Sequence, residues 1–406
     1  MHSNCRRIDL DDHLLYQLLQ KSPAALKAES KKDYDIIIVG GGLAGLQLLH
    51  AFLNKAELSE KRIAVIEANK DRQEKTWCFW EPGEGQWDSL LHHQWGKGNF
   101  IDDKGELKLD IQPYRYKMIR SADFHLHFKQ KIESLPNISW IEDEIIDIDI
   151  KACVASSKDQ SYTADLIFDS RFDTKELKKS KSPMVLQHFK GWFIETEEEL
   201  FDSESFTMMD FRLPFKDLCS FTYILPISKT SALIEYTFFS PEVLEEEVYD
   251  KLIKEYIEKY IKTDAYRITE TEFGVIPMSN HAFHQYNTAN YTRIGTAGGW
   301  VKASSGYSFK HAEKKSAKIA ENVSKGLRPD KDIFNMRSRF YDRIFLNLLQ
   351  NENHLGNDIF IQMYRKNCPH AIFRFLDEES SLFEELSLIN RFKYAPFLRA
   401  VGRGIL

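Results

Sequence analysis

The run DYDIIIVGGGLAGL over residues 33–46 constrains this chain more than any other segment. Ile36, Ile37, Ile38 and Val39 form a continuous apolar strand, the pattern of a strand covered on both faces of a parallel sheet. Gly40, Gly42 and Gly45 follow in GxGxxG spacing, Leu46 to Lys55 reads as a helix, and Arg62 to Glu67 reads as a second buried strand. Together they make a βαβ unit of the usual size, about 30 residues. In that setting the first glycine permits the tight turn and the second lets backbone approach a pyrophosphate. The third lets helix and strand pack closely. The helix start offers unpaired N–H groups and the positive end of its dipole. Glu67 ends the second strand, where an acid accepts hydrogen bonds from ribose hydroxyls. Gly40, Gly41, Gly42, Leu43, Ala44, Gly45 and Glu67 are therefore expected to hold a dinucleotide.

The strand–glycine turn–helix pattern returns late, with Tyr291–Ile294, then Gly295, Gly298 and Gly299, then a helix from Phe309 to Lys325. That late return favours FAD in a two-domain flavoprotein. No second GxGxxG follows, so a separate nicotinamide domain is not expected. The expected fold is α/β. It has a Rossmann-like FAD-binding domain with an inserted antiparallel-sheet substrate domain and a helical C-terminal part. The divisions read as an N-terminal extension (1–32), a first FAD-binding part (33–125) and a mixed region containing the substrate sheet (126–285). A return segment (286–326) and the helical part (327–406) complete the chain. Ile138–Ile141, Phe221–Leu225 and Ala232–Phe238 are strand candidates of the middle region. Ser240 and Pro241 read as the start of a helix burying Leu244, Val248, Leu252, Tyr256 and Ile257. In the extension, Leu14, Leu15, Leu18 and Leu19 fall at helical spacing. They suit a surface helix, or in a minority reading one that meets a membrane or partner.

Several function classes fall away. Lys and Arg number 55 against 61 Asp and Glu, a net charge of −6, so no basic footprint for nucleic acid is expected. Five scattered cysteines form no CxxC pair, no HExxH is present, and no metal site is expected. No secretory leader is expected, because Arg6 and Arg7 run into Asp9, Asp11 and Asp12. The longest nearly uncharged run, residues 36–53, reads as strand, turn and helix rather than a membrane span.

Aromatic residues make up 13% of the chain, which suits a cavity for a large apolar ligand. Trp77, Phe79 and Trp80 in the dense TWCFW run, together with Trp300, either pack a core or line such a channel. Glu235 sits mid-strand in ALIEYT. It lies either on the exposed face of a half-buried strand or in a cleft, where burial would raise its pKa and equip it as a general acid. Glu195 and Asp210 sit in similarly apolar settings and carry the same two readings.

These residues resemble the flavin-dependent lycopene cyclases, of the bacterial lycopene beta-cyclase type. The resemblance runs from about Tyr34 to the C-terminus. Its marks are DYDIIIVGGGLAGL (33–46), TWCFW (76–80), LQHFKGWFIE (186–195), MMDF (208–211), ALIEYT (232–237), FGVIPM (273–278) and GTAGGWVKASSGYSF (295–309). It implies FAD that is active in its reduced form, with NAD(P)H as reductant. It also implies closure of the linear psi ends of lycopene into beta-ionone rings without net redox change. Glu235 occupies the position of the family's essential first acid, and Tyr236 replaces the second acid found in relatives. Tyr236 is expected beside the substrate channel, and Asp210 and Glu195 match further acidic positions. The late motif lacks the Asp that many flavoproteins place there, so backbone N–H groups of Gly295, Gly298 and Gly299 would hold the flavin. Arg120 would reach a flavin phosphate. Since lycopene and related carotenoids sit in the bilayer, a cytoplasmic enzyme docked on the inner face of the cell membrane is implied. A redox flavoenzyme on the same fold, or a pigment-binding protein without catalysis, is the alternative.

Overall fold

The computed structural model describes residues 32–68, 74–180 and 182–405, so the leucine-rich stretch of the N-terminal extension lies outside the described residues. Two large sheets and one small one carry the rest.

β1 (Tyr34–Val39) forms the centre of the first sheet. Its four apolar residues Ile36 to Val39 are buried, as a strand covered on both faces requires. β2 (Ile63–Glu67) and β11 (Ser161–Asp169) flank it in parallel. β8 (Ile138–Glu142) adds to β2, and β17 (Tyr291–Arg293) adds to β11, both in parallel. β10 (Val154–Ser156) and β9 (Asp147–Asp149) extend the edge antiparallel. The strand at 138 thus belongs to the dinucleotide sheet and not to the antiparallel region, because it follows a crossover helix, Ser121–Glu133, that carries it back parallel. The helix Leu43–Leu53 packs with the helix Phe309–Ser324 on this sheet, burying Leu46, Leu49 and Phe52 with Phe309, Ile319 and Ala320.

The second sheet runs β16 (Tyr266–Ser279), β12 (Met184–Thr196), β15 (Ser231–Ser240), β14 (Cys219–Pro226), β13 (Ser205–Asp210), β5 (Lys97–Asp102) and β6 (Gly105–Asp110). All its neighbours are antiparallel except β13 and β5. The period of two decides what each face meets. On β15, Ala232, Ile234, Tyr236 and Phe238 face the helix Glu246–Tyr256, whose Tyr249, Leu252, Ile253 and Tyr256 complete that layer. Leu233 and Phe239 face the opposite core. That core also takes in the third sheet, which runs β3 (Thr76–Pro82), β7 (Tyr114–Arg120), β4 (His93–Trp95), and the C-terminal helices Met336–Asn351, Gly356–Lys366 and Pro369–Leu376.

The helix after β15 begins at Glu246 and not at Ser240. The strand keeps Ser240 because its hydroxyl is engaged by His188 Nε2 at 2.7 Å and by the Glu242 carbonyl at 2.6 Å, on the sheet side.

A Cβ built on Gly45 would stand 2.0 Å from the Gly40 carbonyl oxygen, whereas one on Gly42 meets nothing within 4 Å. Gly45→Ala is expected to destabilise the fold by about 1–3 kcal/mol, since backbone must shift, and Gly42→Ala by under about 0.5 kcal/mol. Urea unfolding of the two variants checks the contrast.

Candidate active site

The face of β15 that carries Leu233 and Phe239 also presents Glu235 and Thr237. They open on a cavity of about 130 Å³. Across β12, Gly191 pairs with Glu235 on one side and with Glu272 of β16 on the other. Strands lie about 4.8 Å apart, so the two glutamates stand roughly 10 Å apart at their backbones, on one face, with a glycine between them. Both line the cavity. They are 7% and 8% exposed, respectively.

Each carboxyl has one donor. Thr237 Oγ1 donates to Glu235 Oε1 at 2.5 Å, and Thr76 Oγ1 of β3 donates to Glu272 Oε2 at 2.8 Å. Burial, and then the negative charge of Glu272, hold the Glu235 carboxyl far above the usual range. Burial likewise pushes Glu272 up to about 7, with the Thr76 hydroxyl and the Arg120 charge opposing that rise. Two buried carboxyls facing one cavity cannot both ionise cheaply, so a proton stays with the pair near neutral pH.

The remaining walls are aromatic. Tyr116, Tyr223 and Tyr307 join hydroxyls, with Tyr116 Oη 2.6 Å from Tyr223 Oη and 2.9 Å from Tyr307 Oη. Trp77 and Phe309 close another side. A second cavity, about 340 Å³ and almost wholly apolar, shares Met208, Met209, Phe239, Ser305 and Tyr307 with the first. It runs among the C-terminal helices, along Phe345, Phe360 and Phe392.

The first glycine turn lies where the return segment meets it. Gly40 has φ +99°, and a Cβ on Gly295 would come within 3.0 Å of Ala44 Cβ. The helix Leu43–Leu53 has no side-chain cap at Gly42, leaving its first N–H groups for an anion. Glu67 Oε2 accepts from Gly41 N at 2.6 Å. The return loop, with Gly295 at φ +60° and Gly299 at φ +67°, ends at Gly306. A Cβ on Gly306 would stand 1.7 Å from Gln187 Oε1 in the cavity wall. Glycine turn, return loop and carboxylate cavity are thus consecutive, and the uncapped helix start, with open space where a Cβ on Gly42 would stand, fits a dinucleotide phosphate.

Of the residues singled out by sequence, Glu235 and Trp77 line the cavity. Tyr236 does not. Adjacent strand residues point to opposite faces, and its hydroxyl donates to the Leu213 carbonyl beneath the helix Glu246–Tyr256. Asp210 is on that same side, held by Arg212 at 2.5 Å and by the Tyr256 hydroxyl. Glu195 is exposed at the strand end, paired with Arg267. Phe79 stacks behind Phe309 at 4.3 Å, and Trp80 stacks on Phe373 at 4.5 Å. Both of these, and Trp300, are core residues. Arg120 pairs with Glu270 and with Glu74, the latter at 3.3 Å, and lies over the Phe193 ring. Glu272 escaped the sequence reading, because RITETEFG alternates charge as a solvated strand does. The signal that could have found it is its place one residue before FGVIPM. Among the described residues no group of side chains could hold a metal ion.

The sequence matches the profile of the family described as "Lycopene cyclase protein" over residues 35–401. A search among curated proteins finds no match. Three solved structures share the fold. The flavin-dependent brominase Bmp2 is 14% identical with a TM-score of 0.56, over 85% of this chain and 93% of its own. A geranylgeranyl bacteriochlorophyll reductase-like protein from Thermoplasma acidophilum is 11% identical at TM-score 0.56, over 91% and 98%. HpxO of Klebsiella pneumoniae, complexed with FAD, is 15% identical at TM-score 0.54, over 90% and 98%. All are similar in fold, α/β and Rossmann-like.

An unfolded glutamate titrates near 4.5, and Glu272 in the fold is raised to about 7. The folded state therefore binds more protons between these values, and stability falls as pH rises through them. Glu272→Gln keeps the size and the acceptor for Thr76 but removes the titration. Its stability relative to the parent is expected to improve from pH 5 to pH 8 in urea unfolding. An unchanged difference at the two pH values would contradict the burial of this charge.

Proposed function

The chain belongs to the lycopene cyclase family, and from that premise we propose that it is a lycopene beta-cyclase. On this reading it converts the linear psi ends of lycopene to beta-ionone rings, giving beta-carotene by way of gamma-carotene. The observation that carries the reading is a buried, proton-holding Glu235 facing an aromatic cavity that continues into a long apolar one. A hydrocarbon has no polar handle, so its binding rests on apolar area, at about 25 cal/mol per Å². The lining of the second cavity meets that need.

Glu235 adds its proton to the terminal double bond, and the cation so formed is attacked by the neighbouring double bond, which closes the ring. The faces of Trp77, Tyr223 and Tyr307 favour a cation next to them, and the apolar walls keep water from quenching it. Gly40, Gly41, Gly42, Leu43, Ala44, Gly45 and Glu67 would hold FAD, together with backbone of Gly295, Gly298 and Gly299. Reduced with NAD(P)H, the bound FAD would supply negative charge beside the carbocation.

Among the described residues no helix is long and apolar enough to cross a membrane. Four residues lining the apolar cavity, Phe340, Leu386, Tyr394 and Leu398, are also among the exposed large hydrophobics. They form its mouth. Phe383 shares the helix Leu382–Ile389 with Leu386 and is 82% exposed, and of the four basic residues in the segment 390–406, Arg399 and Arg403 pair with Glu352 while Arg391 and Lys393 are exposed. This face suits a bilayer surface with anionic lipid, from which a carotenoid enters the cavity.

Expression in a bacterium that accumulates lycopene tests the reading. A bicyclic product of unchanged mass is expected, and a product of altered mass would favour a redox flavoenzyme instead. Glu235→Gln is expected to keep flavin and lose at least about 100-fold in rate. A double change, Phe383→Glu with Leu398→Glu, is expected to weaken binding to anionic vesicles at least about tenfold in co-sedimentation. Unchanged binding would remove the docking face.

A further inference from the structure

Glu235 gives its proton to the chain end, and the proton that later leaves the ring must pass to a base. Glu272 stands across Gly191 from Glu235, on the same cavity face. A Cβ on Gly191 would meet Leu233 Cδ1 at 2.7 Å, Glu272 Cγ at 3.2 Å and Glu272 Oε1 at 3.5 Å. Only glycine leaves the floor between the two carboxyls open. Thr76 holds Glu272 Oε2, while Oε1 has no hydrogen-bond partner among the described residues. The surroundings of the two acids also differ. Arg120 acts on Glu272 from behind, held by Glu74 and Glu270, and no cation acts comparably on Glu235. Cys78, Tyr116, Tyr223 and Tyr307 face the pair across the cavity. An acid and a base are told apart by such opposed environments.

Resting on the cyclase reading, we infer that Glu272 is the base that removes the ring proton and so selects where the ring double bond forms. The step balances. Glu235 loses its proton into a new C–H bond, and ring closure moves the positive charge to a ring carbon. A C–H bond on the adjacent ring carbon then breaks, its electron pair becomes the ring double bond, and the proton passes to the Glu272 carboxylate. Proton return from Glu272 to Glu235 restores the pair, with no electron gained or lost.

The test uses the full chain with bound flavin, lycopene in vesicles and D2O buffer. Glu272→Gln is expected to retain flavin and to lower the beta-ring product about 100-fold. The residual product is expected to include rings with a displaced double bond, and the recovered lycopene to carry deuterium from reversible protonation by Glu235. Glu272→Asp is expected to restore part of the rate with the double bond in its parental place. A Glu272→Gln enzyme that makes the parental product within about threefold of the parental rate would overturn the inference. So would one that yields no product and unlabelled lycopene, since the loss would then precede proton removal. Failure of the cyclase reading is distinct: the unmodified enzyme would then leave lycopene uncyclised, or Glu235→Gln would remain fully active.

Discussion

Keeping two carboxyl groups from water on one side of a sheet is the constraint around which the molecule is arranged. Burying an unpaired charge is costly, and a group so placed keeps its proton unless neighbours compensate. Here compensation is rationed. One threonine serves each acid, and Arg120 is drawn partly away by Glu74 and Glu270. The walls opposite offer ring faces and tyrosine hydroxyls already joined to one another. The site therefore keeps a proton where a well-packed apolar core would have been more stable.

Buried charge elsewhere does different work. Lys302, within the return loop, is 3% exposed and reaches Asp342 at 2.9 Å and Glu378 at 3.3 Å on two C-terminal segments. Such a fully partnered cluster costs several kcal/mol to break from one side. It fastens the loop that borders the carboxylate cavity to the helices that surround the apolar one. The two cavities consequently share a wall that neither the sheet nor the helices form alone.

Much of the first sheet was legible because its signals are local. Four consecutive apolar residues, three spaced glycines and a terminal acid all lie within residues 36–67. Local signals also separate Glu235 from Tyr236, since neighbours on a strand must point apart, yet they do not say which side holds the cavity. That depended on where the helix Glu246–Tyr256 would lie, a long-range matter. Asp210 was beyond reach for another reason. The register of β13 against β14 shifts between Thr207 and Asp210, so counting from Met208 and Met209 does not predict its side. Glu272 was hidden by composition, because β16 is at least partly exposed along most of its length and is buried only at Glu272, whose carboxyl Thr76 of the third sheet holds, and at Met278.

A single pair of buried acids at the inner end of a narrow apolar passage also imposes an order in time. On the proposed reading, a symmetric polyene presents one terminus to the acids while its other half lies along the passage and out through the mouth. The second terminus reaches the acids only after the molecule has withdrawn and turned end for end. The balance between one-ringed and two-ringed pigment then becomes a matter of traffic. It is set by how long the withdrawn molecule lingers near the mouth before lipid carries it away.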